Sequence, residues 1–351
     1  MELKVTVLGV LVFAGSALLT GLVRRFALSS GLVDVPNLRS SHTRTTARGG
    51  GLAVVLATTA GVIALAAAGV VSQSLLMAVA VGGGAVALVG FLDDRQSVRP
   101  AVRFVVHTGA ALWAVSWLGG LPPLLFGDHL ITPGAGGYLI GVLGIVWVLN
   151  LFNFMDGIDG IAAGEAVFIG CAGALAGLTV GSVGEVTAAA GVLALASAGF
   201  LCWNWPPAKV FLGDVGSGYL GYVIAVLALA AARTNPVALW VWLILGGVFF
   251  VDATVTLIRR LLRGERVFEA HRSHAYQWLA RRWGSHGKVT AAFLLVNLVW
   301  LLPLAMLAGR HPGYAAATVL VALTPLAVLA LVAGAGRTER SLSATKQTNQ
   351  R

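Results

Sequence analysis

The sequence predicts an all-α polytopic membrane protein of about eleven transmembrane helices, with its N-terminus outside and its C-terminus in the cytoplasm. Three observations carry that prediction. The 351 residues are 58% hydrophobic and only 11% charged, with a mean hydropathy of +0.86, more apolar surface than a soluble core needs. Apolar runs of about 20 residues recur along the chain, the length that crosses a bilayer as a helix. Lys and Arg gather in alternate connecting segments, which fixes the orientation. Open sheets are excluded in lipid because their edge groups would go unpaired, and the alternation expected of barrel strands is absent. The many Gly and Ala residues suit close packing between helices in a bilayer.

Taken in order, the expected spans are 4–23, 49–70, 72–92, 102–119, 137–154, 161–180, 184–203, 217–234, 237–258, 288–308 and 313–334. The opening MELKVTVLGVLVFAGSALLTGLVRR lacks a basic n-region and its arginines follow the apolar stretch, so it reads as a first span and not a signal peptide. With the N-terminus outside, the inside segments are 24–48, 93–101, 155–160, 204–216, 259–287 and the tail from 335. They hold Arg24, Arg25, Arg39, Arg44, Arg48, Arg95, Arg99, Lys209, the basic residues between 259 and 282, and the tail cations. The outside segments 120–136 and 309–312 are nearly free of Lys and Arg, with Arg233 and Arg310 the exceptions. Residues 1–334 form one transmembrane domain, and 335–351 a basic cytoplasmic tail expected to be disordered. The formal charge of +10 sits in short loops, so topology and attraction to phosphate groups explain it and nucleic acid is not an expected partner. Cys171 and Cys202 lie in apolar runs and offer neither a disulfide framework nor metal-thiolate spacing.

The chemistry gathers at helix ends on the inside. The segment 150–160 reads NLFNFMDGIDG; Asn150 and Asn153 are three apart, and Asp156 and Asp159 repeat that spacing, so each pair shares a helical face if the turn continues. Carboxylates at a bilayer edge are costly and mark function by default. Asp93 and Asp94 close another span, followed by Arg95, Arg99 and Arg103; adjacent carboxylates suit a divalent cation or a proton acceptor, and the arginines suit phosphate oxygens. Arg48 precedes Gly49-Gly50-Gly51, whose amides could hold an anion before a helix, although a glycine hinge explains it as well. In the segment 203–217, prolines break the preceding helix and Asp214 lies between glycines just before the next span. Phe211 reads either as an interface anchor or as a stacking surface for a base. The longest inside loop crowds His271, Arg272, His274, Tyr276 and Gln277 together, in a setting that also fits a surface-lying amphipathic helix.

Asp93-Asp94, the NLFNFMDGIDG stretch, FLGDVGS and HRSHAYQ, in that order and spacing, resemble the polyprenyl-phosphate N-acetylhexosamine-1-phosphate transferase family from Asp34 to Gln277. The resemblance implies a multi-pass enzyme of the bacterial inner membrane with its active site on the cytoplasmic face. It would move a sugar-1-phosphate from a UDP-N-acetyl sugar onto undecaprenyl phosphate, release UMP, and use Mg²⁺, with Mn²⁺ an occasional substitute. It implies Asp214 as principal metal ligand and Asp93 and Asp94 near the lipid phosphate, with Asp93 its suggested base. Asn153, Asp156 and Asp159 would line the nucleotide–sugar cleft, Asn204 and Phe211 the uridine site, and His271 and His274 the diphosphate site; Arg272 in the same loop and Arg95 after the Asp pair are expected from their charge as further phosphate contacts. A homodimer is a further expectation. The phospho-MurNAc-pentapeptide branch carries three adjacent histidines where this chain has His271-Arg272-Ser273-His274. The sequence therefore looks more like enzymes that start O-antigen or other surface-polysaccharide lipids, with GlcNAc, QuiNAc and FucNAc all open as donor sugar. Without the family, the residue types fit the same chemistry: two anionic reactants must meet, so positioning and charge neutralisation dominate and the need for a base is modest. The rival class is a polytopic transporter. It would place acids near the bilayer midplane and often within repeats, whereas most acids here sit at cytoplasmic helix ends, with Asp252 the one deeper candidate.

Overall fold

The computed structural model describes residues 2–36, 44–179, 184–266 and 271–337. Arg39 in the first loop and nearly all of the expected tail lie outside them. The apolar runs form helices because only a helix satisfies every backbone group within one segment in lipid. In chain order they are α1 (Glu2–Ser30), α2 (Gly51–Ala67), α3 (Gln73–Arg95), α4 (Pro100–Leu118), α5 (Gly136–Met155), α6 (Ile161–Thr179), α7 (Glu185–Asn204) and α8 (Asp214–Thr234). Then come α9 (Ala238–Leu245), α10 (Gly247–Leu262), α11 (Ala275–Trp283), α12 (His286–Arg310) and α13 (Ala315–Ala333).

Among the described residues, nine helices are long and apolar enough to cross a bilayer, and α9 with α10 forms a tenth candidate bent by 72° at Gly246. The chain is thus a polytopic helical membrane protein. Ten of the eleven expected segments fall on these; the eleventh, 49–70, falls on α2, which is apolar but shorter than a span, so nine or ten spans stand against the eleven expected. Three local differences matter. The segment 237–258 is not one straight helix, because it breaks at the Gly246-Gly247 pair, where helix continuation is weakest. α8 begins at Asp214, so this acid opens the helix and does not precede it. α1 runs past its arginines to Ser30, and Arg24 Nε donates to the Lys209 carbonyl at 3.1 Å.

α8 is the axis of the fold: 94% of its apolar window is buried, against α3 and α5 along its length and α2 near its start. Absent side chains permit this. A Cβ at Gly90 of α3 would run into the backbone of Asp214 and Val215, and one at Gly51 of α2 into Gly216. Close backbone approach through small residues is how membrane helices associate without a hydrophobic drive between them. A π turn at Ala78–Gly82 within α3 disturbs its carbonyl ladder, and the buried Tyr222 hydroxyl of α8 answers it, lying 2.9 Å from the Ala78 carbonyl and 3.1 Å from that of Ala110.

Two short antiparallel strand pairs add to the helices. β1 (Val33–Asp34) pairs with β2 (Thr46–Ala47). Beside them the Phe211 N–H donates to the Ala47 carbonyl at 2.8 Å, and the Gly50 and Gly51 N–H groups donate to the Phe211 and Leu212 carbonyls at 2.9 and 2.8 Å. The loop before α2 and the loop before α8 are therefore one backbone-paired unit. At the opposite end β3 (Leu124–Phe126) pairs with β4 (His129–Ile131), and Phe126 packs edge-on against Trp240 at 4.7 Å.

Candidate active site

The acidic residues converge where α3 ends and α8 begins. Asp94, in the last turn of α3, has a fully buried side chain. Its Oδ1 accepts the Asp214 N–H at 2.9 Å and its Oδ2 the Val215 N–H at 3.1 Å, the first amides of α8, which have no partner within that helix. Arg48 Nε completes the set 2.7 Å from Asp94 Oδ1. Gly213, at φ +76°, precedes the helix in a conformation L side chains rarely adopt, and a Cβ there would collide with the Asp94 carboxylate. Asp93, its neighbour, turns elsewhere: Oδ1 accepts the Val98 N–H at 2.6 Å and Oδ2 pairs with Arg103 Nη1 at 2.6 Å.

Asp214 sits between these groups. Its Oδ1 accepts Asn153 Nδ2 at 3.1 Å and lies 3.4 Å from Arg48 Nη2; its Oδ2 lies 3.6 Å from Arg103 Nη1. Asn153, in the last turn of α5, also donates to Ser217 Oγ at 3.0 Å. Arg103 thus bridges Asp93 and Asp214, and Arg48 bridges Asp94 and Asp214. Asp156, directly after α5, is half-buried, and no side-chain hydrogen bond or ion pair joins it to another described residue. Burial first, and then the Asp214 carboxylate, push its carboxyl well above the usual carboxylate range; Asp94 and Asp159 add to this and Arg48 opposes it. Burial alone would lower the Arg48 guanidinium, but Asp94, Asp214 and Asp34 more than offset it and hold it above its usual value.

Other expected site residues occupy different places. Asp159 ties loops together: Oδ2 accepts the Ala208 N–H at 3.0 Å, Oδ1 lies 3.3 Å from His286 Nδ1, and its carbonyl accepts the Thr290 hydroxyl at 2.9 Å. Asn204 is buried, accepts the Gly160 N–H at 3.0 Å and donates to the Val210 carbonyl at 2.9 Å. Phe211 is half-buried and its backbone is committed to the loop pairing above. Arg95 is exposed, its guanidinium 5.7 Å over the Phe91 ring and outside the Arg48–Arg103 cluster. The histidine turn comes over the end of α5. His271 and His274 stack at 4.8 Å, and both rings lie near Phe154, at 6.4 and 6.3 Å. Arg272 offers its carbonyl to Arg281 Nη2 at 3.0 Å.

Four carboxylates (Asp93, Asp94, Asp156, Asp214) face two guanidiniums (Arg48, Arg103). Fully ionised, the cluster lacks two positive charges, and its donors are oxygens, the preference of a hard divalent cation. Among the described residues no three carboxylate, imidazole or thiol groups already stand at metal-ligand spacing. Mg²⁺ does not require that, since it keeps several waters and takes one or two protein carboxylates. The partnerless Asp156 beside Asp214 is the observation that fits such an ion. Arg48, Arg103 and Ser217 are site residues beyond the acid, amide and imidazole set. Arg48 was visible only as the residue before a glycine triplet, Arg103 as one of several arginines after Asp94, and Ser217 gave no signal apart from its place in FLGDVGS.

A family model described as glycosyl transferase family 4 matches residues 76–232, from α3 through α8, and so includes Asp93, Asp94, Asn153, Asp156 and Asp214. A probable undecaprenyl-phosphate N-acetylglucosaminyl 1-phosphate transferase of Bacillus subtilis (strain 168) is 32% identical over 289 residues, covering 81% of this chain and 79% of that protein. A decaprenyl-phosphate N-acetylglucosaminephosphotransferase of Mycobacterium tuberculosis (strain ATCC 25618 / H37Rv) is 29% identical over 318 residues, covering 80% and 76%. A phospho-N-acetylmuramoyl-pentapeptide-transferase of Moorella thermoacetica is 32% identical over 213 residues, covering 54% and 63%.

Proposed function

The chain belongs to glycosyl transferase family 4 and is a phosphotransferase of that family, and from that membership we propose that it transfers an N-acetylhexosamine-1-phosphate from a UDP-sugar to undecaprenyl phosphate. In this reading a lipid-phosphate oxygen attacks the sugar-bearing phosphorus, a new P–O–P bond forms, the bond to the α-phosphate breaks, and UMP leaves with the electron pair. The products are undecaprenyl-diphosphate-sugar and UMP, at the first step of O-antigen or related surface-polysaccharide synthesis. The observation that carries the reading is the meeting of Asp93, Asn153, Asp156 and Asp214, from three separate helix ends, around two arginines. The positive bias of the segments at that end supports a cytoplasmic active site in the inner membrane, with the N-terminus outside.

Mg²⁺, when bound, supplies the positive charge that lets two anionic phosphates approach. Asp214 and Asp156 would hold it, with Asn153 orienting Asp214. Arg48 and Arg103 already hold Asp214 from both sides, so its carboxylate is fixed before substrates arrive and little reorganisation remains. A lipid phosphate is largely ionised near pH 7, by analogy with a second phosphate pKa of about 6. Asp93, already holding Val98 and Arg103, therefore acts in positioning more than in proton removal. The donor is a UDP-N-acetylhexosamine with GlcNAc the first candidate, supported by the names of the two relatives that cover most of the chain.

The test is UMP release by purified protein given undecaprenyl phosphate, Mg²⁺ and a panel of UDP-N-acetyl sugars. Turnover should require lipid and cation and fall about 100-fold or more in Asp214→Ala. No release from any donor refutes the transfer, and an Asp214→Ala protein that keeps Mg²⁺-dependent turnover removes the metal assignment.

A further inference from the structure

Asp252 lies on α10, the second half of the bent helix pair, only 2% exposed, and takes no part in the acidic cluster. Its oxygens account for the start of α11. Oδ1 accepts the Ala275 N–H at 2.8 Å and the Thr256 hydroxyl at 3.2 Å, and Oδ2 accepts the Tyr276 N–H at 2.9 Å. Oδ1 also lies 3.5 Å from His274 Nδ1, a buried ring nitrogen with no hydrogen-bond partner among the described residues. The His274 backbone N–H donates to Gln277 Oε1 at 3.2 Å. Tyr276 carries the assembly onward: its hydroxyl donates to the Phe154 carbonyl at 3.0 Å, in space left by Gly157, where a Cβ would strike that hydroxyl. Contacts therefore run unbroken from Asp252 through the histidine turn to the segment that carries Asp156.

We propose that Asp252 is a positioning residue for the donor diphosphate: it locks the histidine turn and holds His274 in the tautomer protonated on Nδ1, so that Nε2 is the nitrogen presented to the ligand. The chemistry is that of a carboxylate orienting an imidazole from behind, which fixes the ring and its tautomer. Two features separate this from simple helix capping. Asp252 Oδ1 and Oδ2 already hold the first two amides of α11, yet Oδ1 also faces His274 Nδ1. The ring it faces stacks on His271 at 4.8 Å and lies 6.3 Å from Phe154, the three rings forming one cluster, so a rotation of His274 would disturb both contacts. The identity of the ligand rests on the transferase reading above; the tautomer does not.

The test uses the full chain in lipid nanodiscs with ¹⁵N-labelled histidine, His274 being assigned by subtraction with His274→Gln. The wild type should show His274 protonated on Nδ1, and Asp252→Asn should lose that signature; should that variant fail to fold, Thr256→Val, which removes one donor from the same oxygen, should still shift it. In turnover, Asp252→Asn should lower kcat/KM for UDP-GlcNAc by about 10- to 100-fold, leave the KM for undecaprenyl phosphate unchanged, and be partly restored by Asp252→Glu. Combined with His274→Gln it should cost no more than His274→Gln alone. An unchanged Nδ1 signal, additive losses, or equal losses toward both substrates overturns the proposal. A wild type that releases no UMP while Asp252→Asn still moves the His274 signal overturns the transferase reading and keeps the positioning one.

Discussion

Replacing Asp94 with alanine separates two roles that adjacent carboxylates can have. The structure gives Asp94 three donors and no idle oxygen: the Asp214 and Val215 amides at 2.9 and 3.1 Å, and Arg48 Nε at 2.7 Å. Asp94→Ala leaves two buried amides without an acceptor, each costing about 1–3 kcal/mol. It also strips one partner from an ion pair whose arginine is half-buried, a change bounded above by the about 3–5 kcal/mol of a fully buried pair. These costs overlap, because Arg48 already reaches Asp214 at 3.4 Å and can close on it. We expect a loss of about 3–5 kcal/mol in stability. As Arg48 closes on Asp214, that carboxylate shifts, and a displacement of about 1 Å at a reacting centre is enough for a loss of about 100-fold in turnover. Asp94→Asn should be nearly as harmful, since its NH₂ would abut a donor. Thermal unfolding in nanodiscs and UMP release on the same preparations test this. Wild-type stability in Asp94→Ala combined with loss of turnover alone would mean that Asp94 acts on substrate directly, and would refute the capping account.

Three further outcomes are expected. A carboxyl raised in the folded state stabilises the fold fully below its unfolded value of about 3.9 and loses that contribution as pH rises through its folded value; the cation-free melting temperature should therefore fall as pH rises through the titration of Asp156, and Asp156→Asn should flatten that fall and shrink the Mg²⁺-induced rise. A pH series of melting curves in chelator, unchanged by the substitution, counts against it. Gly90→Ala should cost about 1–3 kcal/mol, because its Cβ meets the α8 backbone at Asp214, and turnover should drop with it; a variant as stable and active as wild type would show that α3 and α8 need not touch there. Glu165, buried in α6, accepts Asn297 Nδ2 at 2.6 Å, while Glu165 Oε1 and Asn297 Oδ1 both lack partners among the described residues. Glu165→Gln removes a carboxylate from the buried site and can still accept from Asn297, so its melting temperature should equal or exceed that of wild type, whereas Asn297→Leu should lower it.

Hydropathy along the chain determined where helices form, because a bilayer imposes a length and an apolar content on each span without regard to its neighbours. The order of the polar motifs was also legible, and it identified Asp93, Asn153, Asp156 and Asp214 as candidates for one site. What the sequence could not decide was the direction each side chain takes once helices pack. Successive residues on a helix point about 100° apart, so Asp94 turns inward to cap α8 while Asp93 turns to Val98 and Arg103. Asp156 and Asp159 look equivalent as letters, yet Asp159 is spent on loop contacts and the Asp156 side chain has no hydrogen bond or ion pair among the described residues. Asn204 follows the same logic, with both ends of its amide on backbone groups. Arg48 stands 46 residues before Asp94, and only the packing of α2 and α3 against α8 brings them to 2.7 Å. Span position is a one-dimensional property set by the solvent, whereas partnership depends on the rotation and approach of helices, which the small residues at Gly51, Gly90 and Gly216 permit and no local pattern announces.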